Sequence, residues 1–238
     1  MTTLFISDLH LDDRRPETTS LLREFLRDEA VNADALYILG DLFEFWLGDD
    51  VPSKCSVEVA AGLSRLADNG VPCYFMHGNR DFLLQHDYAK LAGVELLPEE
   101  HVIDLYGEQV LLMHGDSLCT DDVAYQQLRK VVRNPAWQQD ILSKAPQERL
   151  QMALQLREAS ADHKGSEDMS IMDVNQDEVY RAFERHSVLR MIHGHTHRPA
   201  THDLEINGNS ARRIVLGDWY TQGSVLRVQP GSYELSSL

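Results

Sequence analysis

The stretch TLFISDLH, residues 3–10, runs from an apolar segment directly into an aspartate and a histidine. Residues 3–6 predict a short buried strand. Because side chains alternate along an extended chain, Asp8 and His10 should lie on the same side and could hold one ion together. An Asp-x-His pair also occurs in ordinary loops, so the rest of the sequence has to decide between these two interpretations.

Four more predicted strands end in polar motifs: Gly40-Asp41 after residues 35–39, GNRD at 78–81 after 71–76, HGD at 114–116 after 110–113, and GHTH at 194–197 after 189–192. Ligands of an α/β sheet bind outside the carboxyl ends of its strands, which is where these motifs fall. An aspartate after glycine is otherwise an ordinary turn residue, and a lone histidine at a strand end is usually structural or solvated. Packing does not explain the repetition, which therefore predicts a metal site.

The donor set of these motifs combines imidazoles and carboxylates with one amide oxygen and contains no thiolate. Its members are Asp8, His10, Asp41, Asn79, His114, His195 and His197. This mixture favours borderline to hard ions such as Mn, Fe or Zn and argues against an iron–sulfur cluster or a closed structural zinc site. Seven ligands are too many for one ion, but two ions about 3.5–4 Å apart that share a carboxylate would use them all. We predict a two-metal centre that activates water for attack on phosphorus.

Around these motifs the pattern favours a layered α/β fold, because apolar runs alternate with amphipathic segments. The remaining predicted elements are helices at 16–30 and 57–67, a hairpin of 102–105 and 110–113, and strands at 213–216 and 224–228. Residues 121–186 contain only helical segments. We predict an α/β sandwich core formed by residues 1–120 and 187–238, with a helical cap of residues 121–186 inserted into it.

Composition narrows the class of protein further. The chain has 238 residues with an ordinary hydrophobic share of 43%, and its formal net charge of -16 would repel phosphate backbones, so we expect no nucleic-acid partner. Its first residues lack the basic and apolar regions of a secretory signal. No apolar run approaches the roughly 20 residues that span a bilayer. Cys55, Cys73 and Cys119 suit reduced thiols, and we expect a cytoplasmic protein.

In order and content, the motifs DxH, GD, GN, HG and GHxH resemble the signature of the calcineurin-like metallophosphoesterases. The resemblance implies a core of two packed mixed β-sheets flanked by helices, an α/β (α+β sandwich) fold. It also implies how the ligands divide: Asp8, His10, Asp41 and His197 for the first metal, and Asp41, Asn79, His114 and His195 for the second. Asp41 would then be the bridging carboxylate.

Arg80 departs from most of this superfamily, which has histidine after the GN dipeptide. An arginine cannot donate a proton near neutral pH, but its planar fork suits bidentate contact with a phosphate and stabilises charge that develops in the transition state. We therefore expect a leaving group that needs little protonation, such as a phosphate. Pyrophosphate cleavage fits this expectation better than hydrolysis of an alkyl monoester.

GNRDF, together with FISDLHL and RRIVLGDW, resembles one subfamily along essentially the whole chain, the UDP-2,3-diacylglucosamine diphosphatases of the lipid A pathway. The resemblance implies that water attacks the α-phosphate of UDP-2,3-diacylglucosamine and gives UMP and 2,3-diacylglucosamine 1-phosphate, with two Mn²⁺ ions per subunit. Catalysis would depend on Asp41, Asn79, Arg80, His114 and His195. Substrate contacts would come from Asn79, Arg80, Asp122, Ser160, Lys164 and His195.

The same resemblance makes the helical insertion a lid over the acyl chains. Its apolar positions, which could line a groove or only pack the insertion on the core, are Leu128, Val131, Val132, Trp137, Ile141, Leu142, Leu150, Leu154 and Leu156. Glu167 stands where the subfamily usually has lysine, and Lys164 would substitute for that lysine by a small shift. We expect a monomer that contacts the cytoplasmic face of the inner membrane peripherally.

Two other functions stay open at this point. A different two-metal phosphoesterase, acting on soluble nucleotides or nucleic acid, would hydrolyse UDP-sugars without acyl chains nearly as well. A metal-dependent scaffold would use the fold only to organise an interface. Scaffolds in this superfamily can lose metal ligands, whereas this chain retains all seven.

Overall fold

The computed structural model describes residues 1–155, 173–220 and 222–238. The strands are β1 Thr3–Ile6, β2 Ala35–Leu39, β3 Cys73–Met76, β4 Val94–Leu97, β5 Glu100–Leu105, β6 Glu108–Met113, β7 Arg190–His193, β8 Ala200–Ile206, β9 Asn209–Val215, β10 Ser224–Gln229 and β11 Ser232–Ser237. The helices are α1 Pro16–Asp28, α2 Lys54–Asp68, α3 His86–Ala92, α4 Val123–Val132, α5 Pro135–Leu142, α6 with helical residues 146–155, and α7 Gln176–His186.

The strands form two mixed sheets. The first has the order β11-β10-β1-β2-β3-β4, in which β1 to β4 are parallel and β10 pairs antiparallel with both β1 and β11. The second has the order β5-β6-β7-β9-β8, in which β6, β7 and β9 are parallel and the outer strands are antiparallel to them. The predicted fold of two mixed sheets with flanking helices is therefore confirmed.

Alternate side chains of the first sheet face two different hydrophobic cores. Leu4 and Ile6 pack in one core with residues of α1 and α2, whereas Phe5 packs in the other core with residues of the second sheet. A strand that is buried on both faces has a continuous run of apolar residues, so β1 could be predicted from the sequence. The second core also includes Val179 and Phe183 of α7, both fully buried.

The strands that sequence analysis missed all lie at sheet edges. β4 and β11 are the two edges of the first sheet, and β8 is an edge of the second. Their side chains are largely exposed or half-buried, so their apolar pattern is weak. The short helix α3 was missed as well, since its seven residues are too few to establish a helical period.

Helix α7 is anchored to the edge strand β5 through Glu100. Arg185 Nη2 donates to Glu100 Oε1 at 2.8 Å, and His186 Nε2 lies 2.6 Å from Glu100 Oε2. Burial alone would raise the pKa of Glu100, but the hydrogen bonds from His186 and Arg185 outweigh burial and lower it. The carboxylate therefore stabilises the fold at pH values above its unfolded-state pKa, and this contribution is lost as the pH falls through the lowered folded-state pKa.

We expect the substitution Glu100→Gln to lower the free energy of unfolding by about 0.5–1 kcal/mol at pH 7, because the partners of this carboxylate are partly exposed. Urea unfolding of both proteins during stepwise acidification checks this. The difference should shrink as Glu100 becomes protonated in the wild type. The exposed residue Glu205 on β8 offers a matched control, Glu205→Gln. A difference that persists unchanged at low pH would contradict the assigned ion pairs.

Candidate metal centre and adjoining cavity

The loops that follow β1, β2, β3, β6 and β7 carry the seven predicted metal ligands at the carboxyl ends of parallel strands. Five of these ligands have a left-handed backbone, with φ between 49° and 70°: Asp8, His10, Asp41, His195 and His197. This conformation is uncommon for residues other than glycine, and each instance costs roughly 1–3 kcal/mol. The surrounding structure holds the loops in shapes that a free chain would avoid, and such outliers cluster at functional sites.

The first group of donor atoms consists of Asp8, His10 and His197, which lie close enough to share one cation. His197 Nε2 is 3.3 Å from Asp8 Oδ1, and His10 Nε2 is 3.2 Å from His197 Nε2. Asp41 approaches this group from the neighbouring loop, with its Oδ2 3.8 Å from His10 Nε2.

The second group lies on the other side of the Asp41 carboxylate. Its Oδ1 is 3.8 Å from His114 Nε2, so the two oxygens of Asp41 face two different groups of donors. Asn79 Oδ1 lies 3.0 Å from His114 Nε2 and 2.9 Å from His195 Nδ1. The structure thus brings all seven predicted ligands together, with Asp41 between the two groups.

Polar atoms of two ligands are oriented as metal binding requires. His114 Nδ1 donates its hydrogen to the carbonyl oxygen of Leu39 at 2.8 Å, so Nε2 is the ring nitrogen that can bind a metal when the ring is neutral. Asp8 Oδ1 is buried and has no hydrogen-bond donor among the described residues. Buried acceptors without donors are costly unless a cation lies between them. The donor set therefore fits divalent metal ions.

The electrostatics of the centre favour a cation. Burial alone would lower the pKa of His114, but the Asp41 and Asp8 carboxylates outweigh burial and raise it. Burial and the nearby His114 lower the pKa of His195 to about 3. The His195 ring is therefore neutral near neutral pH, which is the form in which an imidazole binds a metal.

Polar neighbours fix the orientation of the two carboxylates. The Ser7 hydroxyl and the His195 backbone N–H both donate to Asp8 Oδ2, at 2.6 and 2.9 Å, so Oδ1 is the oxygen that faces the centre. The Arg80 backbone N–H donates to Asp41 Oδ1 at 2.8 Å. Partners of this kind usually determine how well ligands are placed for a metal.

Two glycines are required by the close approach of the backbone to these carboxylates. A Cβ atom on Gly78 would lie 2.0 Å from Asp41 Oδ1, and one on Gly194 would lie 2.3 Å from Asp8 Oδ2. The glycines of the GN and GH motifs therefore leave room for carboxylates from other loops.

Asp81 is a buried residue to which the sequence analysis gave no role. Its Oδ1 accepts from the Gly78 N–H at 2.8 Å and its Oδ2 from the Leu42 N–H at 2.7 Å. One carboxylate thus joins the loop that carries Asn79 to the loop that carries Asp41. Its position inside the GNRD motif was the signal that could have identified it.

Helix α4 is tied to the centre through Asp116, a second role that the sequence did not reveal. Tyr125 Oη donates to Asp116 Oδ2 at 2.6 Å, and Arg129 Nε donates to the same oxygen at 2.8 Å. Burial alone would raise the pKa of Asp116, but His114 and Arg129 outweigh burial and hold it well below its usual range. Arg133 Nη2 donates to the carbonyl oxygen of Gly78 at 2.8 Å, so α4 contacts two of the ligand-bearing loops.

A cavity of about 650 Å³ adjoins the centre and is shared with the cap helices. His10, Asp41, Asn79, His195 and His197 form part of its wall. A large part of the remaining wall is apolar and consists of Trp46, Phe82, Leu83, Leu128, Val132, Trp137, Ile141 and Met152. Four of the predicted groove positions line this cavity: Leu128, Val132, Trp137 and Ile141. Three others, Val131, Leu150 and Leu154, are exposed, and Leu142 packs on the core.

The predicted substrate contacts are only partly within the described residues. Arg80 lines the cavity, and its buried Nε has no hydrogen-bond partner in the described chain. Asp122 also lines the cavity, and its Oδ1 accepts from the Tyr125 N–H at 2.8 Å as the N-cap of α4. Ser160, Lys164 and Glu167, together with the groove position Leu156, lie outside the described residues.

Comparison with known proteins agrees with this site. A family model described as calcineurin-like phosphoesterase matches residues 1–199, and the chain therefore belongs to the calcineurin-like phosphoesterases. Full-length relatives include the UDP-2,3-diacylglucosamine hydrolase of Stenotrophomonas maltophilia (strain K279a), 55% identical over 100% of this chain and 99% of the relative. The enzymes of that name from Xanthomonas axonopodis pv. citri (strain 306) and Serratia proteamaculans (strain 568) are 53% and 51% identical. They cover 100% and 99% of this chain and 99% and 98% of their own lengths.

We expect Gly78→Ala to weaken binding of a divalent metal ion, with Mn²⁺ as the probe, about tenfold or more, because the new methyl group displaces the Asp41 carboxylate. Calorimetric titration of the purified protein with Mn²⁺ measures this directly. The control is Gly62→Ala in α2, where the new methyl group meets only the end of the Leu26 side chain at 3.1 Å. Unchanged Mn²⁺ affinity in the Gly78 variant would contradict a role for Asp41 in metal binding.

Proposed function

We propose that the protein hydrolyses the pyrophosphate bond of UDP-2,3-diacylglucosamine by attack of water on the α-phosphate, giving UMP and 2,3-diacylglucosamine 1-phosphate in lipid A biosynthesis. The observation that carries this proposal is the cavity in which Arg80 and five of the predicted metal ligands adjoin a large apolar wall. A substrate with a pyrophosphate next to two fatty chains matches both parts. Full-length relatives named UDP-2,3-diacylglucosamine hydrolase support the same substrate.

The proposal includes two Mn²⁺ ions per subunit. Asp8, His10, Asp41 and His197 would hold the first ion, and Asp41, Asn79, His114 and His195 the second. The convergence of these donors and the buried acceptor Asp8 Oδ1 support it. When bound, such ions polarise phosphate oxygens and lower the pKa of water, which makes it a nucleophile near neutral pH.

The residues of the chain itself would orient the pyrophosphate. Arg80 extends from the loop that carries Asn79, and its guanidinium lines the cavity with a buried Nε that lacks a partner among the described residues. Such a group suits a phosphate oxygen and stabilises the negative charge that develops on the leaving phosphate. The leaving group, a phosphate monoester, needs no general acid in this arrangement. Asp122 and His195 also line the cavity, and we include them with Ser160 and Lys164 as substrate contacts.

The apolar wall would bind the two acyl chains. Leu128 and Val132 of α4 face the same cavity as Trp137 and Ile141 of α5. Each buried methylene group contributes about 0.8 kcal/mol, so a few buried carbons give a large preference for an acylated substrate. We assign the lid to α4, α5 and α6 from the predicted cap of residues 121–186, because α7 packs in the core.

Such a lipid substrate places the protein at the cytoplasmic face of the inner membrane. Apolar side chains of the cap support peripheral contact, since Val123, Val131 and Leu154 are 61%, 49% and 51% exposed. No helix in the described part of the chain has the length and apolar character needed to cross a membrane. The monomeric state stays a prediction.

We expect the wild-type protein with Mn²⁺ to release UMP from UDP-2,3-diacylglucosamine more than about a hundredfold faster than from UDP-glucosamine at limiting concentration, because the latter leaves the apolar wall unfilled. Chromatographic detection of UMP checks this. Leu128→Gln should lower turnover of the acylated substrate only. Equal turnover of both substrates would favour a phosphoesterase for soluble nucleotides, and no turnover of either would favour a scaffold.

We expect Asp41→Ala and His114→Ala to lose measurable Mn²⁺ binding and to lower UMP release by about a hundredfold or more, because metal-ion catalysis supplies several kcal/mol of transition-state stabilisation. Calorimetry and the UMP assay are run on the same protein samples. Asp203→Ala, at an exposed position on β8, serves as the control for loss of a carboxylate. Full activity in either site variant would rule out the proposed metal centre.

A further inference from the structure

The candidate metal centre is flanked by a tyrosine ring at each end. At one end, Tyr125 of the cap helix α4 stacks on His195, with ring centroids 6.1 Å apart and planes 27° apart. At the other end, Tyr220 stacks on His10, with centroids 5.1 Å apart and planes 9° apart. Both tyrosines line the cavity. The Tyr125 end belongs to the cap, whereas the Tyr220 end belongs to the segment between β9 and β10.

Tyr220 is held firmly and is still accessible. Its backbone N–H donates to Asp218 Oδ1 at 3.0 Å. The preceding residue, Trp219, is buried, and its backbone N–H donates to the carbonyl oxygen of Asp8 at 3.1 Å. The guanidinium carbon of Arg15 lies 4.8 Å from the centroid of the Tyr220 ring, and Arg15 donates to the carbonyl oxygen of His10. Even so, 48% of Tyr220 is exposed.

The direction of the substrate follows from the two ends of the cavity. If the acyl chains lie against α4 and α5, the diacylglucosamine occupies the Tyr125 end. Attack at the α-phosphate places the pyrophosphate at the centre, so the uridine has to extend away from the diacylglucosamine. Tyr220 lies at the other end of the centre from Tyr125, where it also approaches His197 with centroids 5.6 Å apart.

We propose that Tyr220, held by His10 and Arg15, is the stacking platform for the pyrimidine base of the nucleotide half of the substrate. This inference rests on the proposed function and deepens it by assigning the nucleotide end of the site. An aromatic ring with a polar edge binds a base face at little entropic cost, because its orientation is already fixed. Base–aromatic stacking is also tolerant of which base is bound, so the platform selects for a nucleotide rather than for uracil alone.

The structure also allows a simpler role for Tyr220, in which the ring only shields His10 and thereby steadies a metal ligand. The two roles predict different effects on two ligands that both carry a phosphate, one with a base and one without. A stacking platform strengthens binding of UMP and leaves ribose 5-phosphate unaffected. A shield for His10 changes the binding of both phosphates equally.

The test is calorimetric titration of the Mn²⁺-loaded wild type, Tyr220→Phe and Tyr220→Leu with UMP, with ribose 5-phosphate and with 2,3-diacylglucosamine 1-phosphate. We expect Tyr220→Leu to weaken UMP binding about tenfold, the value of one base–aromatic stack, and to leave the other two ligands unchanged. Tyr220→Phe keeps the ring and should bind UMP like the wild type. Leu128→Gln should show the reverse pattern, with weaker binding of the lipid product only.

The ratio of UMP affinity to ribose 5-phosphate affinity decides the proposal even if the leucine variant binds Mn²⁺ less well, because a weakened metal affects both phosphates. A ratio that stays at the wild-type value in Tyr220→Leu overturns the stacking platform. A wild-type protein that binds neither UMP nor the lipid product contradicts the proposed function itself. Binding of both products with an unchanged ratio contradicts only the assignment of Tyr220.

Discussion

Seven buried or half-buried polar side chains are crowded into one small volume at the ends of the strands, and the loops of this protein are shaped around them. Asp8 Oδ1 has no hydrogen-bond donor in the described chain, and the Asp41 carboxylate lies between two groups of imidazoles. Such an arrangement is unfavourable unless positive charge lies between the acceptors. Left-handed backbone at five ligands and two glycines in close contact with carboxylates are the means by which the fold imposes it.

The ligands could be predicted from the sequence because each one follows a buried strand. The apolar residues of the strand and the polar motif after it are neighbours in the sequence. The same holds for β1, whose continuous apolar run reflects burial on both faces. The edge strands β4, β8 and β11 could not be predicted in this way. Half of an edge strand is solvated, so its side chains carry little of the apolar signal that distinguishes a strand from a loop.

The contacts that support the ligands were beyond sequence reasoning for a different reason. Asp116 meets Arg129, and Tyr220 meets Arg15 and His10, through packing between elements that no periodicity relates. Asp81 is an instructive intermediate case, since it stands inside a recognisable motif but acts on the backbone of a distant loop. The identity of a side chain shows which chemistry it can perform. The fold determines which other groups that side chain contacts.

The centre draws its donors from both ends of the chain, with Asp8 and His197 in the same group. Translation proceeds from the N-terminus, so the ribosome exposes Asp8 and His10 well before the ligands His195 and His197 are made. The first sheet is completed later still, because β1 pairs with β10 at residues 226–228. Until then β1, a central strand of the finished sheet, has an unpaired edge. Completion of the centre is therefore a long-range event in folding, because its first and last donors are separated by most of the sequence.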